Sequence, residues 1–306
     1  MTRRMWLLMA LLAALWGSSY LFVKVALQEG VEPVCIVFAR LALGALVLVP
    51  IAWRRGALAP LRGALGPIAL VATVQIVLPF LLIAYGERFI ASSQTGILFA
   101  ATPIWAVLLA HRHNGGEHPG AGAVLGVLTG LVGVAFLLGV DLGGGREAIA
   151  GGALVLLATI AYAIGSLYFK RRLEGARAIG AAAGALLTGA LLLVPVVGFA
   201  LPAHLPSLWA VGSLLALGAG GTGLAFAINY TLIAEIGPDR ASLVAYIAPG
   251  CAVIYGVALL GEPLGVGVIV GLVLILGGSW IAAREPRPKR TPPVTPRVPH
   301  LAREEA

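Results

Sequence analysis

The chain has 306 residues, 59% of them hydrophobic and 11% charged, with a net charge of +8 and a mean hydropathy of +0.98. A soluble domain carries roughly a quarter charged residues, so a water-soluble globule is excluded and a domain count from length does not apply. The positive charge is no nucleic-acid signature either, because the basic residues lie in short connections and in the C-terminal stretch rather than along one face.

Ten apolar segments are predicted at 6–27, 33–53, 65–85, 91–111, 119–139, 149–170, 180–200, 208–233, 240–260 and 264–283. Each is close to the 20 residues or so that a helix needs to cross about 30 Å of hydrocarbon. The fold class is therefore all-α and integral to the membrane. The first segment follows Arg3-Arg4 and invites a signal-peptide reading. It runs on through Gly17 to Val23 as a full crossing, and it has a partner later in the chain, so it is read as a transmembrane helix.

In the first segment Trp16, Ser19, Tyr20 and Val23 share a helical face. Lys24, a second charge within a span, is read as snorkelling to the interface. The second carries Cys35 and Arg40. A buried Arg40 needs a partner, either a structural one, helix-end carbonyls or an outer Glu, or a substrate carboxylate. The third places Gln75 near mid-membrane, Pro79 inside the helix and Tyr85 near one mouth. The fourth offers Thr95, Thr102, Pro103 and Trp105, followed by His111, His113 and His118. Those histidines read as solvated loop residues or as a weak metal cluster, and no metal site is assigned.

The fifth segment has a small-residue row, Gly122, Gly126 and Gly130, suited to tight packing. The sixth aligns Thr159, Tyr162, Ser166 and Phe169. The eighth contains Gly218-Ala219-Gly220-Gly221-Thr222-Gly223, which fits a dinucleotide pattern but has no preceding strand. It is read as helix packing, and Gly218, Thr222, Ala225 and Asn229 share its face. The ninth offers Ser242, Tyr246, Pro249 and Val253, together with Cys251, read like Cys35 as a small packed residue. Pro79, Pro103 and Pro249 are either static kinks or gating hinges. The tail 284–306 is rich in Pro and charge and is expected to be disordered and cytoplasmic.

The chain repeats itself. Gly116-Glu117 with Gly120, Gly122 and Gly126 reappears as Gly261-Glu262 with Gly265, Gly267 and Gly271, at an offset of 145. Pro103 answers Pro249, and Trp16 to Lys24 answers Tyr162 to Lys170. The two repeats are 1–146 and 147–283. With the N-terminus inside, seventeen Lys and Arg fall on the inner side and two, Arg88 and Arg146, on the outer. That asymmetry predicts both termini in the cytoplasm of a bacterial inner-membrane protein. Five spans per half make the second half inverted, a topology associated with alternating access.

Leu15-Trp16-Gly17-Ser18-Ser19-Tyr20 with Lys24, Arg40-Leu41, Ala248-Pro249, Gly261-Glu262 and the matching Pro103 and Gly116-Glu117 resemble the EamA-type members of the drug/metabolite transporter superfamily. The likeness covers nearly all of 6–283 and departs at His111-Arg112-His113-Asn114-Gly115. It implies a carrier of small metabolites, often an exporter of amino acids, including aromatic ones. Other metabolites or drug-like cations are the alternative. A membrane-embedded enzyme or receptor stays open as a different class, although no clustered nucleophile and base supports an enzyme.

There is no phosphate loop and no cofactor is expected; the expected partners are a small-molecule substrate and the lipid bilayer, with no nucleic acid. The candidate substrate residues are Trp16, Ser19, Gln75, Tyr85, Trp105, Tyr162, Ser166, Asn229 and Tyr246. No Asp or Glu lies in the middle of a predicted span. Transport is therefore expected not to need a mid-membrane carboxylate, leaving a rim group such as Glu262, or the substrate, to carry any coupled proton.

Overall fold

A computed structural model describes residues 1–58, 61, 63–113, 120–140, 145–173, 178–200 and 206–283. Every regular element among them is helical. Ten segments run back and forth: α1 (Arg3–Gln28), α2 (Pro33–Arg54), α3 (Leu65–Gly86), α4 (Ser92–Phe99, resumed as Thr102–His113) and α5 (Ala121–Val140) form the first five. The second five are α6 (Gly145–Arg172), α7 (Ala178–Val197), α8 (Leu208–Ile236), α9 (Val244–Leu260) and α10 (Val266–Ala283). Nine are long and apolar enough to cross a membrane, and α9 is the shorter tenth. It starts four residues later than predicted because Pro238–Ala241 forms a separate turn. The tail 284–306 lies outside the described residues.

Local chemistry sets the helix ends. The Thr2 hydroxyl accepts from the Met5 amide at the start of α1, and Pro33 opens α2 where its missing amide costs nothing. Ser207 caps α8 by accepting from the Ala210 amide at 3.1 Å. Gly261 ends α9 at φ 65, a left-handed position that favours glycine.

Packing obeys a pseudo-twofold rule in which each helix exchanges with the one five places on. The α2–α7 and α5–α10 pairs map onto themselves, while α1–α9 answers α6–α4, α3–α6 answers α8–α1, and α2–α8 answers α7–α3. Two inverted five-helix repeats are thus visible in the contacts. Gly126 and Gly278 let α5 and α10 touch: a Cβ on Gly278 would stand 2.5 Å from the Gly126 carbonyl oxygen. Large side chains such as Leu46, Leu191 and Val273 point outward, a cost in water but none in hydrocarbon.

Two departures from regular helix sit in symmetry-equivalent places. Ala72–Val77 in α3 and Ala216–Leu224 in α8 are π-helical. Pro79 has no amide to give the Gln75 carbonyl, which loosens the ladder in α3. In α8 the glycines of 218–223 relax it, and the Thr222 hydroxyl donates back to the Leu217 carbonyl at 3.0 Å. In α4, predicted as one unbroken helix, Pro103 cannot bond the Phe99 carbonyl, and the Thr102 hydroxyl takes that oxygen at 2.6 Å. The helix breaks at Ala100–Ala101, whereas α9 runs through its partner Pro249 without a break.

Candidate functional site

An aromatic cluster fills the region where α1 and α4 of the first half meet α6 and α8 of the second. Phe99 stands edge-on to Tyr162 with centroids 5.4 Å apart, and Tyr20 tilts against Phe99 at 6.3 Å. One turn back on α1, Trp16 meets Phe226 edge-on at 6.5 Å, and Phe226 stacks on Tyr230 at 6.1 Å. Trp16, Tyr20, Tyr162, Phe226 and Tyr230 all retain part of their surface. Such rings give large apolar area with little freedom to lose on binding.

Polar groups flank the rings. The Gln75 amide donates to the Ser166 hydroxyl at 3.0 Å and lies beside the Tyr162 hydroxyl, joining α3 to α6. Gly165 permits this approach, since a Cβ there would sit 2.5 Å from the Gln75 Cβ and 2.8 Å from its Cα. Arg40 is 9% exposed. Its Nε donates to the Thr222 hydroxyl at 3.0 Å across the halves, and its guanidinium carbon lies 3.8 Å from the Phe80 centroid. Thr222 is its one hydrogen-bond partner among the described residues. Neither sequence reading of Arg40 named this pair. Tyr20 and Tyr162 lie within electrostatic reach of Arg40, so the charge belongs to the same region as the rings.

Of the residues singled out from sequence, Trp16, Gln75, Tyr162 and Ser166 meet here. Ser19 is buried against α8, its hydroxyl donating to the Leu15 carbonyl at 3.1 Å. Tyr85 is elsewhere: it is 39% exposed and pairs with the Arg88 guanidinium at 5.5 Å. Trp105 is half-buried, with an indole nitrogen that is buried and has no hydrogen-bond partner among the described residues. Asn229 and Tyr246 are half-buried, and neither belongs to the ring contacts of the cluster. His118 lies outside the described residues, as do the side chains of His111 and His113.

Sequence reasoning missed Phe80, Phe99, Phe226 and Tyr230. Two of them, Phe226 and Tyr230, stand at intervals of four from Thr222, a spacing that an α-helix also keeps close to one face. Ala225 and Asn229 neighbour that same face, and in the sequence the rings read as ordinary apolar residues of the span.

Polar ties join the helices at the end of the bundle away from the N-terminus, the distal end. The Lys24 ammonium reaches the backbone of the α3–α4 connection. It donates to the Glu87 and Ile90 carbonyl oxygens at 2.7 and 2.9 Å. The turn at Gly261 aims Glu262 across to the other half, where its carboxylate accepts from the Ser92 and Ser93 amides at 2.7 and 3.0 Å. These are the orphan amides that open α4, so Glu262 acts as a helix cap supplied by the opposite repeat.

Comparison with known proteins agrees with this architecture. The EamA-like transporter family matches residues 4–139 and again 149–284. The chain belongs to that family. It is 28% identical over 284 residues to the Uncharacterized inner membrane transporter YedA of Escherichia coli (strain K12), covering 89% of this chain and 90% of that one. It is 26% identical over 272 residues to the Uncharacterized transporter YoaV of Bacillus subtilis (strain 168), covering 87% and 92%. A protein of known crystal structure superposes with a TM-score of 0.67 at 21% identity, covering 90% of this chain and 96% of that one, which speaks to the fold alone. This EamA-like chain is thus a multi-pass membrane transporter and not an enzyme.

Proposed function

We propose that this transporter exports amino acids, aromatic ones among them, or closely related small metabolites across a bacterial inner membrane. Both termini would lie in the cytoplasm, and the repeats 1–146 and 147–283 would rock about the aromatic cluster in alternating access. The observation that carries the substrate class is Arg40. It is a buried guanidinium with one hydroxyl partner and an aromatic face, beside a wall of rings. The Glu87 carboxyl lies within electrostatic reach of Arg40 but has no hydrogen bond to it, and a buried charge without a bonded counter-ion costs several kcal/mol. A substrate carboxylate on Arg40 would remove much of that cost, and the rings would hold the apolar part. Gln75 and Ser166 would orient the amino group or a side-chain polar group. A drug-like cation would be repelled by the same guanidinium, which favours the amino-acid reading. The prolines Pro79, Pro103 and Pro249 supply candidate hinges, with Pro103 at an existing break.

Cells producing the protein should tolerate inhibitory amino-acid analogues better than control cells. Trp16→Ala and Arg40→Gln should remove that tolerance at equal membrane levels. Protection that survives both changes would refute the site, and no protection by any analogue would refute the substrate class.

A further inference from the structure

Glu87 follows α3 directly and begins the connection to α4. An acidic residue in such a place is ordinarily solvated. This one is 0% exposed. Both of its carboxyl oxygens are buried, and neither has a hydrogen-bond partner among the described residues. Tyr20 and Lys24 face it from α1, Arg40 from α2, Thr95 from α4 and Glu262 from the α9–α10 connection. The α6 helix packs Gly151, Leu154 and Val155 against the neighbouring Gly86 and brings no titratable group there.

The charged donors around Glu87 are directed elsewhere, and the Thr95 hydroxyl, which lies beside the carboxyl, bonds the backbone. Lys24 serves the Glu87 and Ile90 carbonyls, Arg40 serves Thr222, and the Thr95 hydroxyl donates to the Ala91 carbonyl at 3.1 Å. The next residue, Arg88, turns outward to Glu32 at 2.6 Å. An ionised carboxylate demands donors when it leaves water, while a protonated one is far easier to bury. Burial pushes the Glu87 carboxyl well above the usual carboxylate range; Lys24 pulls it back, Glu262 pushes it up again, and Arg40 and then the neighbouring Thr95 hydroxyl pull it down. Burial is the largest of these. Solvent is close at hand: a pocket of about 200 Å³ at the distal end is lined by Lys24, Val31, Glu32, Glu87 and Arg88, among others.

We propose that Glu87 is the proton-binding site of a distal gate: it holds a proton while that end is closed and gives it to the solvent there when the end opens. Closing takes one proton from the distal solvent onto a carboxylate oxygen, and opening breaks the same O–H bond. The inference rests on the alternating-access reading above. The sign follows from the raised affinity of the closed state. Its advantage is complete below the ordinary carboxylate range and is lost as pH rises through the raised value of the buried group. Acid on the distal side thus favours closure and alkali favours opening, by up to about tenfold per pH unit for one proton.

Two readouts on the reconstituted full-length protein test this. Infrared spectra near neutral pH should contain a protonated-carboxyl band that disappears in Glu87→Gln. Spin labels at Gln28→Cys and Leu264→Cys, with Cys35→Ser and Cys251→Ser, report the distance between the two halves at the distal end. That distance should lengthen as pH rises from the ordinary carboxylate range through the raised range of the buried group. Glu87→Gln, neutral at every pH, should stay closed throughout. The proposal is overturned if the band is missing or unaffected by the substitution, if the wild-type distance ignores pH, or if the Gln variant follows the wild type. Should Glu87→Gln fail to fold, the wild-type band and distance still decide. Counterflow of labelled amino acids, run in parallel, separates the two claims. Transport with a pH-blind gate sinks the proton site alone, and a pH-responsive gate without counterflow of any amino acid sinks the substrate reading alone.

Discussion

Glu262 gives the most quantitative test of how the halves are joined. Its carboxylate accepts two amide hydrogen bonds, at 2.7 Å from Ser92 and 3.0 Å from Ser93. Hydrogen bonds to charged groups contribute about 1.5–3 kcal/mol each, and a negative charge at a helix N-terminus adds about 0.3–1 kcal/mol. Water reaching the freed amides would return part of that. Glu262→Ala is therefore expected to cost about 3 kcal/mol, and Glu262→Gln, which keeps one acceptor oxygen, about 1–2 kcal/mol. Gly256 supplies a second handle, because a Cβ there would collide with the Glu262 carboxylate. Gly256→Ala should displace the cap and destabilise like Glu262→Ala, and the two changes together should cost little more than either. The assay is the apparent melting temperature of the detergent-purified protein at a fixed scan rate, with transport measured well below it. The ranking should be wild type, then Gln, then Ala, with transport retained in the Gln variant. If Glu262→Gln melts like wild type yet transports nothing, Glu262 is a coupling group and the capping argument is wrong.

Three further outcomes are expected. Gly165→Ala would place a methyl 2.5 Å from the Gln75 Cβ, so α6 must move off α3 at a cost of about 1–3 kcal/mol; a melting temperature and transport rate equal to wild type would contradict this. Arg40→Lys keeps the charge but loses the planar fork over Phe80 and the Nε bond to Thr222, and should weaken apparent substrate affinity by about ten- to a hundredfold, about 1.4–2.8 kcal/mol; unchanged affinity would remove Arg40 from the site. A C-terminal alkaline phosphatase fusion should be inactive and a green fluorescent fusion bright, because basic residues crowd the inner connections; the reverse pattern would invert the orientation.

The fold was legible because a membrane makes composition and periodicity strong signals. Apolar runs of the right length gave ten helices, and the Gly-Glu repeat at an offset of 145 gave two copies. Glycine rows such as Gly126 read correctly as close packing. The site was legible only in patches. Trp16 and Tyr162 stood out through their matching repeat positions, and Gln75 and Ser166 as polar groups in apolar segments. Phe226 and Tyr230 were hidden because aromatic residues in an apolar span look like lipid-facing or packing residues until the neighbouring rings are placed. Phe99 looked like one more apolar residue until the break at Pro103 ended its helix there. The burial of Glu87 was not legible for a different reason. A helix-end position usually means solvent, but tertiary packing covers this one from several helices and an opposing turn.

The central claim is that Arg40 and the aromatic wall select amino acids by carboxylate and ring together. Counterflow in proteoliposomes, with labelled amino acids set against their amides and decarboxylated amines, tests it most directly. The account predicts saturable exchange of at least one apolar or aromatic amino acid. It also predicts a loss of at least about tenfold when the carboxylate is masked or removed, and loss of exchange in Arg40→Gln. Equal exchange of the amine and the amino acid, or exchange that survives Arg40→Gln unchanged, would contradict it.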